Sequence, residues 1–397
     1  MPFTIHLLAL AVFAQGTSEF MLAGLGPAIA ADLGVSIPAA GALTSAFAVG
    51  MIIGAPLMAV VSLRWPRRRA LLAFLTVFLL VHVVGALTTS YEVLLVTRVI
   101  GALANAGFLA VALVTATGLA GPGAKGRATA TLLGGVTLAC VVGVPAGALL
   151  GQVWGWRSAF WAVALVSMPA IVAILRAVPA GGADGSVPSA RRELRALRDP
   201  RLGTVLALAA LVNGATFCTF TYLAPLITDV AGLGEGWVPA GLALFGIGSF
   251  LGVTLAGRIA DVRPVPLLTI GGTVLCLGWV VLALSAGSRS AAIALILVQG
   301  TLSFAVGSTL VSQVLYVAVD APRLAGGFAT AAFNVGAALG PWLGGVAIDA
   351  GLGFRGPVWV SALLTAAALI VAGVAWIVTG GTGATARPSS RRGAATG

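Results

Sequence analysis

Charge is what this sequence has least of. Of 397 residues only 8% are Asp, Glu, Lys or Arg, against 59% hydrophobic. A soluble domain carries about 25% charged residues. So few charges cannot cover a water-facing surface, and lipid must be the main solvent. Acids are scarcer than bases, 11 against 22 Lys and Arg, giving a net charge of +11. Cysteine is limited to Cys140, Cys218 and Cys276, each inside an apolar run. With no metal spacing and no disulfide framework, they read as small buried hydrophobes. No phosphate-binding G-x-x-x-x-G-K-[ST] occurs, which excludes ATP as an energy source in this chain. No catalytic constellation is present either, so an enzyme is not expected, and no Cys/His cluster suggests a metal or other cofactor. Gly134-Gly135 and Gly271-Gly272 lie in apolar runs and do not open Rossmann loops. Met1 to Phe20 lacks a basic n-region and its apolar run exceeds signal length, so no cleavable signal peptide is expected.

What the chain has is long apolar runs. A membrane-crossing helix needs about 20 apolar residues, and this length supplies roughly a dozen. The expected spans lie near 4–30, 39–63, 70–88, 92–118, 128–151, 158–178, 202–229, 237–260, 266–286, 291–318, 325–348 and 357–379. The 54 glycines suit close helix packing in lipid. A basic chain could suggest nucleic acid, but nearly all its Lys and Arg fall in short breaks between apolar runs. That is the pattern of cytoplasmic loops beside an anionic leaflet. Arg64, Arg67, Arg68 and Arg69 follow span 2, Lys125 and Arg127 follow span 4, and Arg191 to Arg201 follow span 6. Arg258 and Arg263 follow span 8, Arg323 follows span 10, and Arg387, Arg391 and Arg392 lie in the tail. The opposite loops carry only Arg157, Arg289 and Arg355. Both termini are therefore expected in the cytoplasm of a cell-membrane protein.

The two ends of the chain repeat each other. A shift of 198 residues aligns Gly16 with Gly214, Leu25 with Leu223, Pro27 with Pro225 and Phe47 with Phe245. It also aligns Gly50 with Gly248, Gly54 with Gly252, Pro66 with Pro264, Gly155-Trp156-Arg157 with Gly353-Phe354-Arg355, and Trp161 with Trp359. The expected fold class is an all-α membrane protein of about 12 transmembrane helices in two pseudo-symmetric six-helix bundles. The expected division is residues 1–178, a cytoplasmic linker 179–201, residues 202–379, and a disordered tail 380–397. Parallel repeats of this kind place a substrate site at their interface.

Several motifs resemble the major facilitator superfamily, in particular its twelve-span drug:proton antiporters and, within them, the chloramphenicol efflux proteins. The family's loop pattern G-x-L-A-D-R-x-G-R-R meets Ala59-Val60-Val61-Ser62-Leu63-Arg64-Trp65-Pro66-Arg67-Arg68 after span 2, which keeps the arginines without the glycines and aspartate. The loop after span 8, Gly257-Arg258-Ile259-Ala260-Asp261, keeps the glycine and aspartate. Arg98 stands for the span-4 arginine motif, with Gly101 near the expected glycine, and Gly143-Val144-Pro145-Ala146-Gly147 is a looser antiporter motif. A fuller version runs through Gly327, Gly336, Gly340-Pro341 and Gly344-Gly345. Gly16 to Met21, leading to Gly26-Pro27 and Asp32-Leu33-Gly34, resembles the drug and sugar exporters. The resemblance implies a proton-driven exporter of a small amphipathic drug, chloramphenicol or a relative, conferring resistance. Its alternative is export of a sugar or other small metabolite. It implies no cofactor beyond the proton gradient, a monomer in the lipid bilayer, and gating roles for Arg64, Arg67, Arg68, Gly143, Pro145, Gly147, Gly257, Asp261, Gly340 and Pro341.

Glu19 is the first candidate for chemistry. A bare carboxylate inside an apolar span is costly, so burial favours the neutral acid and suits a group that gains and loses a proton. A structural carboxyl bonded to Thr17 or Ser18 is the plainer reading. Arg98 is a second proton-coupling candidate, either paired with a carboxylate, bonded to carbonyls, or snorkelling. His82 titrates in a useful range, yet reads more simply as a hydrogen-bonded packing residue. Asp32, Asp229 and Asp349 fall at span ends as helix-end or gate groups. Gln15, Asn105, Asn213, Phe217, Tyr222, Phe333 and Asn334 are candidates for the substrate, on the argument that a cavity needs a few polar groups on an apolar, aromatic lining; Gln299 is a further polar residue on span 10. Each polar one could equally be interhelical glue.

Overall fold

Gly155 and Gly353 occupy the same place in the repeat, and each has positive φ, 80° and 60°. So do Gly34 and Gly232, at 65° and 62°. An L side chain is disfavoured there, so the repeat is written into the backbone where each half turns a corner. The computed structural model describes residues 3–62, 65–120, 124–178, 194–259, 263–318 and 324–378. Among the described residues every regular element is helical.

Span 1 is a bent pair, Phe3–Phe20 and Leu22–Leu33, at 53°. Spans 2, 3 and 4 are Ile37–Ser62, Arg67–Leu87 and Tyr91–Leu119. Span 5 joins Lys125–Leu138 to Val144–Trp154 through a π-helical turn, Ala139–Gly143. Span 6 is Arg157–Ala177. Span 7 runs from Pro200–Thr221 through Leu223–Pro225 and a π turn, Leu226–Val230. Spans 8, 9 and 10 are Trp237–Ile259, Pro264–Ser285 and Arg289–Val317. The stretch Ala325–Val378 is 54 residues long and mostly apolar. At 1.5 Å per residue it would run about 80 Å, far beyond a hydrocarbon core of about 30 Å. It breaks at Gly351 and Gly353 into span 11, Ala325–Ala347, and span 12, Gly356–Val378. Twelve crossings result among the described residues, matching the apolar runs read from the sequence.

Local chemistry sets the span ends. Ser90 caps span 4, its Oγ accepting from the Val93 N–H at 3.2 Å. Asp199 caps span 7 through the Arg201 N–H at 2.8 Å, with Pro200 at the first helical position. In span 5, Pro145 has no N–H to give Val141, and the π turn just before it absorbs the mismatch.

The packing repeats as the sequence does. Span 1 packs on spans 5 and 6, span 2 on span 4, and span 3 on spans 4 and 6. Span 7 packs likewise on 11 and 12, span 8 on 10, and span 9 on 10 and 12. Across the halves, span 2 meets span 11 and span 5 meets span 8, which exchange under the same repeat. The outward faces are studded with Leu, Val, Ile and Trp, such as Trp154, Leu284, Leu363 and Ile377, as a lipid-facing surface requires. Arg64, Asp261, the Arg191–Glu193 stretch of the expected linker and the tail 380–397 lie outside the described residues.

Candidate functional site

The bend in span 1 comes at Met21, one turn past Ser18. In an unbroken helix the Ser18 carbonyl would accept from the Leu22 N–H. Here Arg98, reaching over from span 4, donates its Nη2–H to that carbonyl at 2.9 Å and its Nη1–H to Ser18 Oγ at 2.9 Å. Ser18 Oγ also lies 2.6 Å from His82 Nε2 on span 3, and His82 Nδ1 lies 2.6 Å from the Phe78 carbonyl. A carbonyl only accepts, so Nδ1 carries a proton. Ser18 Oγ accepts from Arg98 and, with the imidazole neutral, donates its own hydrogen to Nε2. The chain of bonds therefore runs in one direction: Arg98 to Ser18 to His82 to the Phe78 carbonyl. All three side chains are at least 97% buried.

Arg98 is further held by the Phe47 ring, 4.4 Å from its guanidinium carbon, while its Nε has no partner among the described residues. Each hydrogen bond from a charged group contributes about 1.5–3 kcal/mol, and a desolvated cation–π contact about 2 kcal/mol. These offset the several kcal/mol lost on taking the guanidinium out of water. Glu19, next in the chain, is half-buried and within electrostatic range of Arg98 and of Cys140 on span 5. Among the described residues Glu19 makes no direct ion pair with Arg98; the guanidinium is bonded to Ser18.

Beyond Glu19 the two halves enclose a narrow cleft lined by Phe20, Cys140, Thr216, Phe217, Phe220, Phe245 and Phe304. The rings form a ladder from one half into the other. Phe20 and Phe217 have centroids 5.6 Å apart, Phe217 and Phe220 6.0 Å, Phe220 and Phe245 4.8 Å, and Phe245 and Phe304 6.2 Å. Cys140 reaches this place because it stands in the π turn of span 5, whose backbone packs against Gly246 of span 8. Gly143 closes the same turn onto span 1: a Cβ there would strike the Thr17 hydroxyl.

The other residues singled out from the sequence are spread along the bundle. Gln15, one turn before Glu19, is fully buried, and neither amide atom is bonded among the described residues. Asn105 turns its amide to Met51 Sδ at 3.6 Å. Asn213 donates to the Phe333 carbonyl at 2.7 Å, tying span 7 to span 11, and Asn334 donates to Thr330 one turn back. Gln299 donates to the Leu275 carbonyl at 3.2 Å. Phe333 packs beside Gly307 of span 10. Asp32 pairs with Arg157 at 2.6 Å, and Arg157 also donates to the Thr88 carbonyl at 2.9 Å, bracing the ends of spans 1, 3 and 6. Arg67 and Arg68 begin span 3, with the Arg67 guanidinium reaching Gly118 at the end of span 4. Gly257 lies in span 8 with open space, among the described residues, where a side chain would go. Pro145 and Gly147 sit beyond the π turn, Gly147 facing Met21. Ser18 and the ladder partners Phe20, Phe220 and Phe304 were not singled out as site residues, since nothing in a run of apolar letters marks which ring faces inward. Phe217 and Phe220, three apart on one helix face, were the available signal.

Tyr222 lies at a different level. Its hydroxyl donates to the Pro341 carbonyl at 2.8 Å, and its ring reaches Gly41 of the other half. Nearby, Gly345 of span 11 faces Pro38 of span 2, and Gln152 donates to the Glu235 carbonyl at 2.6 Å. Gly340 lets span 11 rest on the backbone of span 7. The Tyr222–Gly41, Gly345–Pro38 and Gln152–Glu235 contacts seal the halves together at the end that carries the Gly34 and Gly155 corners.

Known proteins place this arrangement. A family model described as Major Facilitator Superfamily matches residues 8–326. A "Chloramphenicol resistance protein" of Streptomyces lividans is 55% identical over 375 residues, covering 94% of this chain and 96% of that one. A "Chloramphenicol efflux pump" of Mycobacterium tuberculosis is 33% identical over 358 residues, covering 88% and 86%. Among solved structures, a mutant form of the nucleoside transporter NupG superposes with a TM-score of 0.74 at 12% identity, covering 94% of this chain and 99% of that one. The chain is a multi-pass membrane protein that belongs to the major facilitator superfamily.

Proposed function

We propose that this protein exports a small, neutral, ring-bearing drug, chloramphenicol or a close relative, in exchange for protons. The observation that carries the reading is the juxtaposition of an aromatic cleft with a single half-buried carboxyl. Phe20 lines the cleft and Glu19 precedes it in the chain. Stacked rings attract a flat aromatic group by about 0.5–1.5 kcal/mol beyond area burial, and the absence of charge from that lining, among the described residues, suits a neutral molecule. The names carried by the Streptomyces and Mycobacterium relatives support the choice of drug.

Basic loops on one side orient both termini toward the cytoplasm, so the sealed end faces outward and the cleft is loaded from inside. Rocking of the halves then breaks the Tyr222 and Gly345 seam and opens the cleft to the exterior. A proton arriving from outside neutralises Glu19 and favours drug release. At 100 mV each proton supplies about 2.3 kcal/mol before any pH gradient.

Purified protein in liposomes loaded with chloramphenicol tests this. Drug movement is expected only when a proton gradient is imposed. Equal flux with and without the gradient would indicate a channel. Gradient-driven sugar flux without drug flux would replace the substrate assignment.

A further inference from the structure

We infer that His82 is a positioning residue: through Ser18 it latches Arg98 at the bend of span 1 and so keeps the guanidinium from pairing directly with Glu19. The inference rests on Glu19 being the proton carrier proposed above, and it assigns His82 a role other than carrying protons.

The latch follows from donors and acceptors. Ser18 can hold Arg98 with its hydroxyl oxygen only while its hydroxyl hydrogen has somewhere to go, and His82 Nε2, 2.6 Å away, is that acceptor. His82 is fixed in turn by its bond to the Phe78 carbonyl and by packing between rings, with centroids 4.2 Å from Phe78 and 5.7 Å from Phe160. Remove the imidazole and the Ser18 hydroxyl loses its buried acceptor. Its hydrogen then turns toward the site Arg98 occupies, and the guanidinium loses one of its two anchors. The acid beside it is Glu19, one residue away on the same helix.

Among the described residues the ionisable groups around Glu19 are few. Span 4 supplies Arg98, span 3 supplies His82, which reaches the neighbouring Ser18, and span 5 supplies Cys140. Spans 2 and 6 carry none at this depth, and the ionisable Cys218 and Tyr222 of span 7 are turned to Pro357 and Pro341. Arg98 is thus the cation whose position sets how readily Glu19 takes a proton. Latched, it leaves the carboxyl free to exchange. Released, it forms an ion pair that holds the carboxylate charged.

The test is an infrared titration of the full-length protein in detergent, following the protonated-carboxyl band that is lost in Glu19→Gln. His82→Phe keeps a ring between Phe78 and Phe160 but removes both hydrogen bonds. A newly formed ion pair lowers a carboxyl midpoint by about 1–3 pH units, so an acid shift of at least about 1 unit is expected. His82→Gln, which restores an acceptor for Ser18, is expected to bring the midpoint back toward that of the unmodified protein. Ser18→Ala is expected to shift in the same direction as His82→Phe, and the double variant no further than the larger single. An unmoved midpoint in His82→Phe would overturn the latch. So would a shift left uncorrected by His82→Gln. If His82→Phe does not reach the membrane, an unmoved midpoint in Ser18→Ala overturns it equally. The titration needs no drug, so export that survives Glu19→Gln would remove the carrier reading without touching the latch measurement.

Discussion

Arg98 gives both of its terminal amino groups to Ser18, one to the hydroxyl and one to the carbonyl, each at 2.9 Å. A cation from the fourth span thereby grips the first span at the residue before its acid, just ahead of the bend. Charge, bend and cleft are one assembly, and the expected effects of changing it follow from that arrangement.

Glu19→Gln keeps the size of the side chain and removes its proton exchange. Gradient-driven export in inverted vesicles is expected to fall to background, with the amount of protein in the membrane unchanged. Undiminished export would take Glu19 out of the mechanism.

Phe217→Ala removes the rung between Phe20 and Phe220. Losing stacking worth about 0.5–1.5 kcal/mol is expected to weaken drug binding roughly 2- to 12-fold in equilibrium dialysis. Phe217→Tyr, which keeps a ring, is expected to bind closer to the unmodified protein; equal affinity for all three would show that the drug does not use this ladder.

Two glycines of span 5 make a matched pair. A Cβ at Gly143 strikes the Thr17 hydroxyl, whereas a Cβ at Gly134 meets nothing among the described residues within 4 Å. Gly143→Ala is expected to cost about 1–3 kcal/mol through overpacking. Gly134→Ala is expected to be neutral or to gain up to about 1 kcal/mol from helix propensity. Thermal unfolding of the two variants in detergent reads the difference directly.

Pro38 and Gly345 face each other across the halves, with the Pro38 Cβ 3.1 Å from where a Gly345 Cβ would stand. Cysteines at both positions are expected to join under mild oxidant and to arrest export, with reductant restoring it. Continued export by the crosslinked protein would mean that this seam does not open during transport.

Much of this was legible without coordinates. A chain with 8% charged residues and a dozen apolar runs has to solvate itself in lipid. Lipid satisfies no backbone groups, so the runs have to be helices. The repeat was legible because corners that need positive φ constrain the residue type, as at Gly155 and Gly353. Glu19 and Arg98 stood out because an ionisable residue in an apolar span is costly enough to need a reason.

Partners were not legible. That Arg98 would bond Ser18 and not Glu19 depends on a bend at Met21 and on the depth at which span 4 crosses span 1. Neither leaves a mark in local composition. The same holds for the cleft: the letter F is as fitting toward lipid as toward a cavity. Only the packing of spans 1, 7, 8 and 10 decided that Phe20, Phe217, Phe245 and Phe304 would meet. The sequence by itself determined the solvent, the helices and the two-fold plan, because those follow from transfer free energies and backbone sterics residue by residue. The tertiary structure decided which polar groups would find each other, because that depends on helix rotation and depth, set by contacts summed over whole spans.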